Sequence, residues 1–160
     1  MKKLFIIAAF GIFAYACGSN DKPAANSEDT SASSSSGTAS TKDPGYDASR
    51  GVGKFTNVEV SPHLDAAMAD KGQKLADVKC AGCHKLTEEK LVGPGWAGVT
   101  TRRKAEWIMN FVTNTEEMLS KDPEAQAQLE ICLVRMPNQN LSDDDARNVY
   151  EFMRKNDGVK

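Results

Sequence analysis

The chain has 160 residues, which allows one domain of ordinary size, or less once both ends are inspected for processing. Its 20 basic and 22 acidic side chains leave a formal charge of -2. That balance excludes the basic stripe of a nucleic-acid binder and strong global steering towards a partner of either sign.

Met1-Lys2-Lys3 followed by the apolar run from Leu4 to Ala16 reads as a signal peptide over residues 1–16. The start is basic, and the run is too short to span a bilayer comfortably. Ala14-Tyr15-Ala16-Cys17 resembles a lipobox, in which Cys17 becomes a lipidated amino terminus. The same residues fit the small-x-small pattern of ordinary signal peptidase cleavage, which would release a soluble protein with a stray thiol. The lipoprotein is the reading taken, because a cysteine at the cleavage boundary of an exported chain is otherwise unexplained. Two or three acyl chains on Cys17 would anchor the protein stably to a membrane on the periplasmic side of the cell envelope.

Residues 17–52 hold Ser, Ala, Thr, Asn, Asp, Lys and Gly, including Ser33-Ser34-Ser35-Ser36, with few large apolar residues. Such a stretch cannot offset its ordering entropy by burial and is expected to be a disordered linker. A coil of about 35 residues spans roughly 30–35 Å. The folded domain is expected over 53–160.

Within that domain Ser61-Pro62 predicts a helix start, a capping hydroxyl before a proline at the first helical position. Leu64, Met68, Leu75 and Val78 recur at helical spacing as its apolar face. Cys80-Ala81-Gly82-Cys83-His84 follows. Two thiols two residues apart suit addition to the two vinyl groups of a porphyrin, and a histidine directly after them can swing under the iron. A zinc site would need a second pair of soft ligands, for which His63, Cys17 and Cys132 have the wrong arrangement. A thioredoxin-like motif would need a βαβ context. A plain disulfide is the remaining alternative. The motif therefore implies one covalent c-type haem, a group assembled outside the cytoplasm in bacteria, in agreement with the export signal.

Further helices are expected from about Lys104 to Thr113 (Trp107, Ile108, Phe111, Val112) and from Asp122-Pro123 to about Cys132. A last one starts at Ser142-Asp143-Asp144-Asp145, with Ser142 as cap and acids in the positive first turn. Ala146, Val149, Tyr150 and Met153 lie at i, i+3, i+4 and i+7 along it. No convincing two-residue alternation is present, so the expected fold is all-α: about four helices around one covalently bound haem, which would supply much of the core.

Three segments in order, KCAGCHKL at Lys79–Leu86, GPGWAGV at Gly93–Val99 and VRMPNQNLSDDDARNVYEFMR at Val134–Arg154, resemble the class I cytochrome c family, here as a bacterial lipoprotein. The resemblance implies thioether bonds at Cys80 and Cys83, His84 as proximal iron ligand, and Pro94 as the residue whose carbonyl accepts from the other histidine nitrogen. It places the axial thioether at Met136, in a loop before the last helix. Met118, His63 or an open position are the alternatives; Met68, Met109 and Met153 lie on apolar helical faces. Gly72 and Phe152 are expected to meet where the first and last helices pack, Gly72 admitting the ring. Cys132 is expected to be a buried small hydrophobe, with dimerisation through a disulfide as the alternative. Trp96 and Trp107 read as core or as walls of the haem site, and Arg102 and Arg103 as propionate partners or a solvated turn.

The function implied is one-electron transfer between respiratory components of the cell envelope, not enzymatic turnover, with no coordination site left for a substrate. A quinol-oxidising complex or another carrier would be the donor, and a terminal reductase or oxidase the acceptor. A looser resemblance from Leu91 to Arg154 to small cytochromes found alongside nitrous oxide reductase adds that enzyme to the candidate acceptors. The alternative is a haem-based enzyme or gas sensor with a labile sixth ligand, for which His63 alone supplies a poor distal pocket. A structural or thiol-binding lipoprotein, with Cys80 and Cys83 as a disulfide, is the third reading.

Overall fold

The computed structural model describes residues 46–160, and each regular element in that range is helical. The chain divides into Met1–Gly37 and Thr38–Lys160, and the described residues all belong to the second unit. The expected signal peptide, Cys17 and most of the expected linker lie outside the described residues. None of the described helices is long and apolar enough to cross a membrane.

Six helices follow one another: α1 Ala66–Lys79, α2 Val99–Arg102, α3 Ala105–Thr113, α4 Thr115–Lys121, α5 Pro123–Cys132 and α6 Asp143–Asn156. Four of them match the expected set; α2 and α4 are short additions. The start of α1 departs from expectation. Asp65, not Ser61, is its cap, its carboxylate accepting from Met68 N–H at 2.9 Å. Ser61 is engaged elsewhere: its hydroxyl accepts from His63 N–H across a bend at Pro62-His63, and its carbonyl accepts from Arg154 Nη2 at 2.7 Å. The caps of α5 and α6 form as expected: Asp122 accepts from Ala125 N–H, and Ser142 and Asp145 form a reciprocal capping box.

Of the expected row of large side chains, Leu64, Met68 and Leu75 are half-buried, Leu75 packing against the core, but the fully buried positions of α1 are small residues. Ala69, Gly72 and Ala76 are buried against α6, whereas Val78 is 85 % exposed. Small residues let the two helix backbones approach. A Cβ on Gly72 would lie 1.9 Å from the Asn148 carbonyl oxygen. What Gly72 admits is therefore the α6 backbone rather than the Phe152 ring, which packs edge-on to Trp96 at 6.4 Å. On α6, Ala146, Val149, Tyr150 and Met153 are all buried, as their spacing predicts.

A buried charge cluster ties α6 to the segment that leads into α1. Glu151 Oε1 accepts from Arg154 Nη1 at 2.6 Å and from Asp65 N–H at 2.8 Å. Arg147 Nη1 lies 3.4 Å from the other carboxylate oxygen, close enough for charge attraction but without hydrogen-bond geometry. Ahead of α1, residues from Tyr46 onward strap the α3–α5 side. Tyr46 Oη donates to the buried Asp122, Val52 N–H points at Met118 Sδ at 3.1 Å, and Asn110 Oδ1 accepts from Phe55 N–H. The packed chain thus reaches back past Gly53, because Asn110, Met118 and Asp122 offer buried partners to its backbone and to Tyr46.

Candidate functional site: a cavity with two thiols, an imidazole and a thioether

The five-residue motif is wound as one turn on the end of α1. Cys80 caps that helix, its N–H bonded to Ala76 O, and both Cys83 and His84 N–H return to Cys80 O at 3.0 Å. One turn brings the two sulfurs and the imidazole to one locality. Cys80 is buried and Cys83 exposed, and both are free thiols. Burial pushes the Cys80 thiol up to about 11 despite the opposing charge of Lys79, so it rests protonated at neutral pH.

The following loop folds back on this turn. Val92 and Gly93 N–H both donate to Cys83 O, Trp96 N–H to Lys85 O and Ala97 N–H to Thr87 O. These bonds press the loop against the imidazole. A Cβ on Gly93 would sit 2.3 Å from His84 Cε1. His84 Nδ1 lies 2.8 Å from Pro94 O. A carbonyl only accepts, so Nδ1 carries the proton and Nε2 keeps its lone pair. Burial lowers the His84 pKa, opposed by the Pro94 bond, and thus favours the neutral ring that a metal ligand must be.

Cys80, Cys83, His84, Pro94 and Met136 all line one cavity. Its walls are apolar, among them Val99, Trp107, Ile108, Phe111, Leu129 and Met153. Met136 is half-buried in the loop after α5, and this loop is tethered to α1 by Lys79 Nζ on Gln139 O at 2.9 Å. Met118 and His63 are not among the lining residues; Met118 is wholly buried against the amino-terminal strap, and His63 is exposed. Trp96 and Trp107 are both core and cavity wall, Trp96 lying 5.5 Å from the His84 ring. Arg102 and Arg103 line the cavity, with Arg102 Nη1 on Ala97 O and Arg103 paired with Glu124.

Cys132 differs from expectation. It closes α5 half-buried and lines the cavity rather than filling the core, because the helix ends at that point and turns back towards Met136. Sequence reasoning also missed Asp157. Its carboxylate accepts from Gly98 N–H, Thr100 N–H and Thr100 Oγ1, fixing the turn between the glycine-proline loop and α2. No local pattern marks a clamp between residues so far apart in the chain. The glycines flanking Pro94 did carry a signal, since a side chain on either would strike His84 or the Thr87–Glu88 backbone.

The donor set fits a haem. Two thiols, a neutral imidazole with one nitrogen free, and a thioether face a slot of apolar walls. The charged residues on the lining are Lys79, Arg102, Arg103 and Arg135, all cations, which suits a macrocycle bearing two carboxylates.

Comparison with known proteins agrees. The family model described as Cytochrome c matches residues 69–157. The structure of a cytochrome c from Rhodothermus marinus is similar with a TM-score of 0.63 at 30 % identity, over 66 % of this chain and 90 % of that one. Two structures of one engineered form of the Rhodothermus protein, each 30 % identical over the same shares of the two chains, give 0.63 and 0.60, the latter bound to a carbene intermediate. Among curated protein sequences no significant match is found.

Proposed function

The chain belongs to the cytochrome c family, and from that premise we propose that it is a one-electron carrier between respiratory components of the cell envelope, with His84 and Met136 as its iron ligands. The family's covalent haem c supplies a ferric–ferrous couple and, with it, haem-based electron transfer.

The observation that carries the ligand assignment is the His84 Nδ1–Pro94 O bond at 2.8 Å on the wall of a cavity that Met136 also lines. That bond holds the ring in one tautomer and orientation and raises the basicity of Nε2. Cys80 and Cys83 would hold the haem through two thioethers, each thiol adding across one vinyl group with no change of oxidation state. The Met136 sulfur is a soft neutral ligand that favours the reduced state. The apolar part of the wall would shield a bound haem from water and lower the polarity around the iron. With His84 and Met136 both given over to holding the iron, no ligand position would be left for a substrate, so the enzyme or sensor alternative is not favoured.

The amino-terminal sequence supports anchoring through Cys17 on the periplasmic side, with the Ser/Ala-rich stretch that follows it as tether. Donor and acceptor are then redox proteins of the same compartment: a quinol-oxidising complex or another carrier on one side, a terminal reductase or oxidase on the other, nitrous oxide reductase among them.

The test is the visible spectrum of the mature protein, oxidised and reduced. A c-type reduced spectrum with a weak sulfur-to-iron charge-transfer band in the oxidised form is expected, and Met136→Ala should abolish that band. A wild-type spectrum without the band, or a Met136→Ala variant that keeps it, removes Met136 from the iron.

A further inference from the structure

Of the eight exposed large hydrophobic side chains among the described residues, six fall in two segments, Val60 and Val78 lying elsewhere. Leu86, Leu91 and Val92 lie in one segment, and Ile131, Leu133 and Val134 in another. Lys90 Nζ donates to Ile131 O at 3.1 Å and joins the two. Val92, Cys132 and Val134 also line the haem cavity, so the patch continues the cavity wall onto the surface. Exposed apolar side chains grouped beside a cavity in this way mark an interaction site.

Leu133 is the most telling position. It closes α5 in the left-handed conformation, with φ 61° and ψ 7°, its N–H bonded to Leu129 O at 2.8 Å. Helices that end this way use glycine or asparagine there, since a Cβ is strained in that region. Leu133 is moreover 83 % exposed. The chain thus holds a strained backbone and an apolar side chain in water at one residue, where glycine would end the helix without either penalty. Strain that folding does not require points to function.

The border of the patch is electrically balanced. Lys85 pairs with Glu89 at 2.5 Å and Arg135 with Glu116 at 2.8 Å, while Lys90 rests on a carbonyl and Glu88 and Glu130 are exposed nearby. A partner matched to this surface is held by apolar contact and not by opposite charge.

We infer that this patch, centred on Leu133, is the docking surface for the electron-transfer partner, a protein presenting an apolar, weakly charged recess that seats the leucine. The inference rests on the carrier reading above. Leu133 stands between two residues of the cavity wall, so a partner covering it lies against the redox site, which is where a partner must lie for rapid transfer. A partner placed elsewhere would leave this strained leucine without a role.

The test uses reduced, haem-loaded protein and respiratory membrane vesicles from the source organism as oxidant, with ferricyanide as a small-molecule control. Leu133→Gly removes the side chain and relieves the backbone, so its thermal stability should equal or exceed that of the wild type. Its second-order rate with the vesicles should fall about tenfold, as for loss of an interface anchor, while its rate with ferricyanide stays unchanged. The wild-type rate with vesicles should vary little between low and high salt. Equal vesicle rates for the two proteins, or a steep loss of the wild-type rate with salt, overturn the docking assignment alone. A wild-type dimer in sedimentation that Leu133→Gly dissociates makes a second copy the occupant and overturns it also. A wild type that reacts with ferricyanide but exchanges no electrons with the vesicles in either direction defeats the carrier reading, and the docking proposal with it.

Discussion

Of the glycines that receive another part of the chain where no side chain would fit, Gly72 and Gly93 serve different ends. At Gly72 the arriving group is the α6 backbone, 1.9 Å from the position of a Cβ. At Gly93 it is the His84 imidazole, at 2.3 Å. The first region is protein packed on protein: α1 against α6, with Ala69 and Ala76 on the same face and the Glu151 cluster beside it. The second is a set of loops, cross-linked by backbone hydrogen bonds, around a cavity that the family fills with haem. Damage to the first should appear as lost stability, and damage to the second as altered iron chemistry.

The largest effect is expected from Gly72→Ala. In an unpacked helix alanine would gain about 1 kcal/mol over glycine. Here the added methyl meets a backbone carbonyl that cannot rotate away, so α1 and α6 must separate. Overpacking of this kind costs about 1–3 kcal/mol, and the absorption spectrum of whatever folds should be unchanged. Thermal unfolding alongside visible spectra checks both halves of the statement; a variant as stable as the wild type would show that the helix pair has slack.

Gly93→Ala sharpens the other side. Its methyl meets an imidazole held by the Pro94 bond. The ring must tilt or lose that bond, so the midpoint potential and the sulfur-to-iron band should move. The stability loss should be smaller than for Gly72→Ala, within about 1 kcal/mol. The comparison breaks if Gly93→Ala keeps the wild-type potential while melting as early as Gly72→Ala.

The same division explains what was legible beforehand. Ser142 with Asp145, and Asp122 with Pro123, announce α6 and α5 because a cap is a local arrangement of side chain and backbone. The haem turn is equally local, since Cys80 to His84 close within one winding. The face of α1 was legible in part: Met68 and Leu75 lie half-buried on it, but periodicity weights large residues and the closest approach is made by the small ones. Helices α2 and α4, of 4 and 7 residues, are too short to show a period. Asp157, the strap from Tyr46 and the cavity position of Cys132 depend on partners distant in the chain, which a single sequence does not reveal.

The smallest effect tests whether charge contributes to the α1–α6 side. Lys155 of α6 donates to Asp70 of α1 at 2.8 Å, with both side chains well exposed. That hydrogen bond, then the Lys155 charge, lowers the Asp70 pKa from its ordinary 3.8. A carboxylate whose pKa is lowered by folding stabilises the fold above its unfolded value, and the contribution disappears as pH falls through the folded one. Asp70→Asn should therefore melt slightly earlier than the wild type at neutral pH, by far less than Gly72→Ala. The difference should vanish well below pH 3.8, where both side chains are neutral, and shrink at neutral pH in about 1 M salt. Melting curves at the two pH values and two salt concentrations decide it. A difference as large as that of Gly72→Ala would mean that this helix pair is held by charge across its surface as much as by the close approach of its backbones.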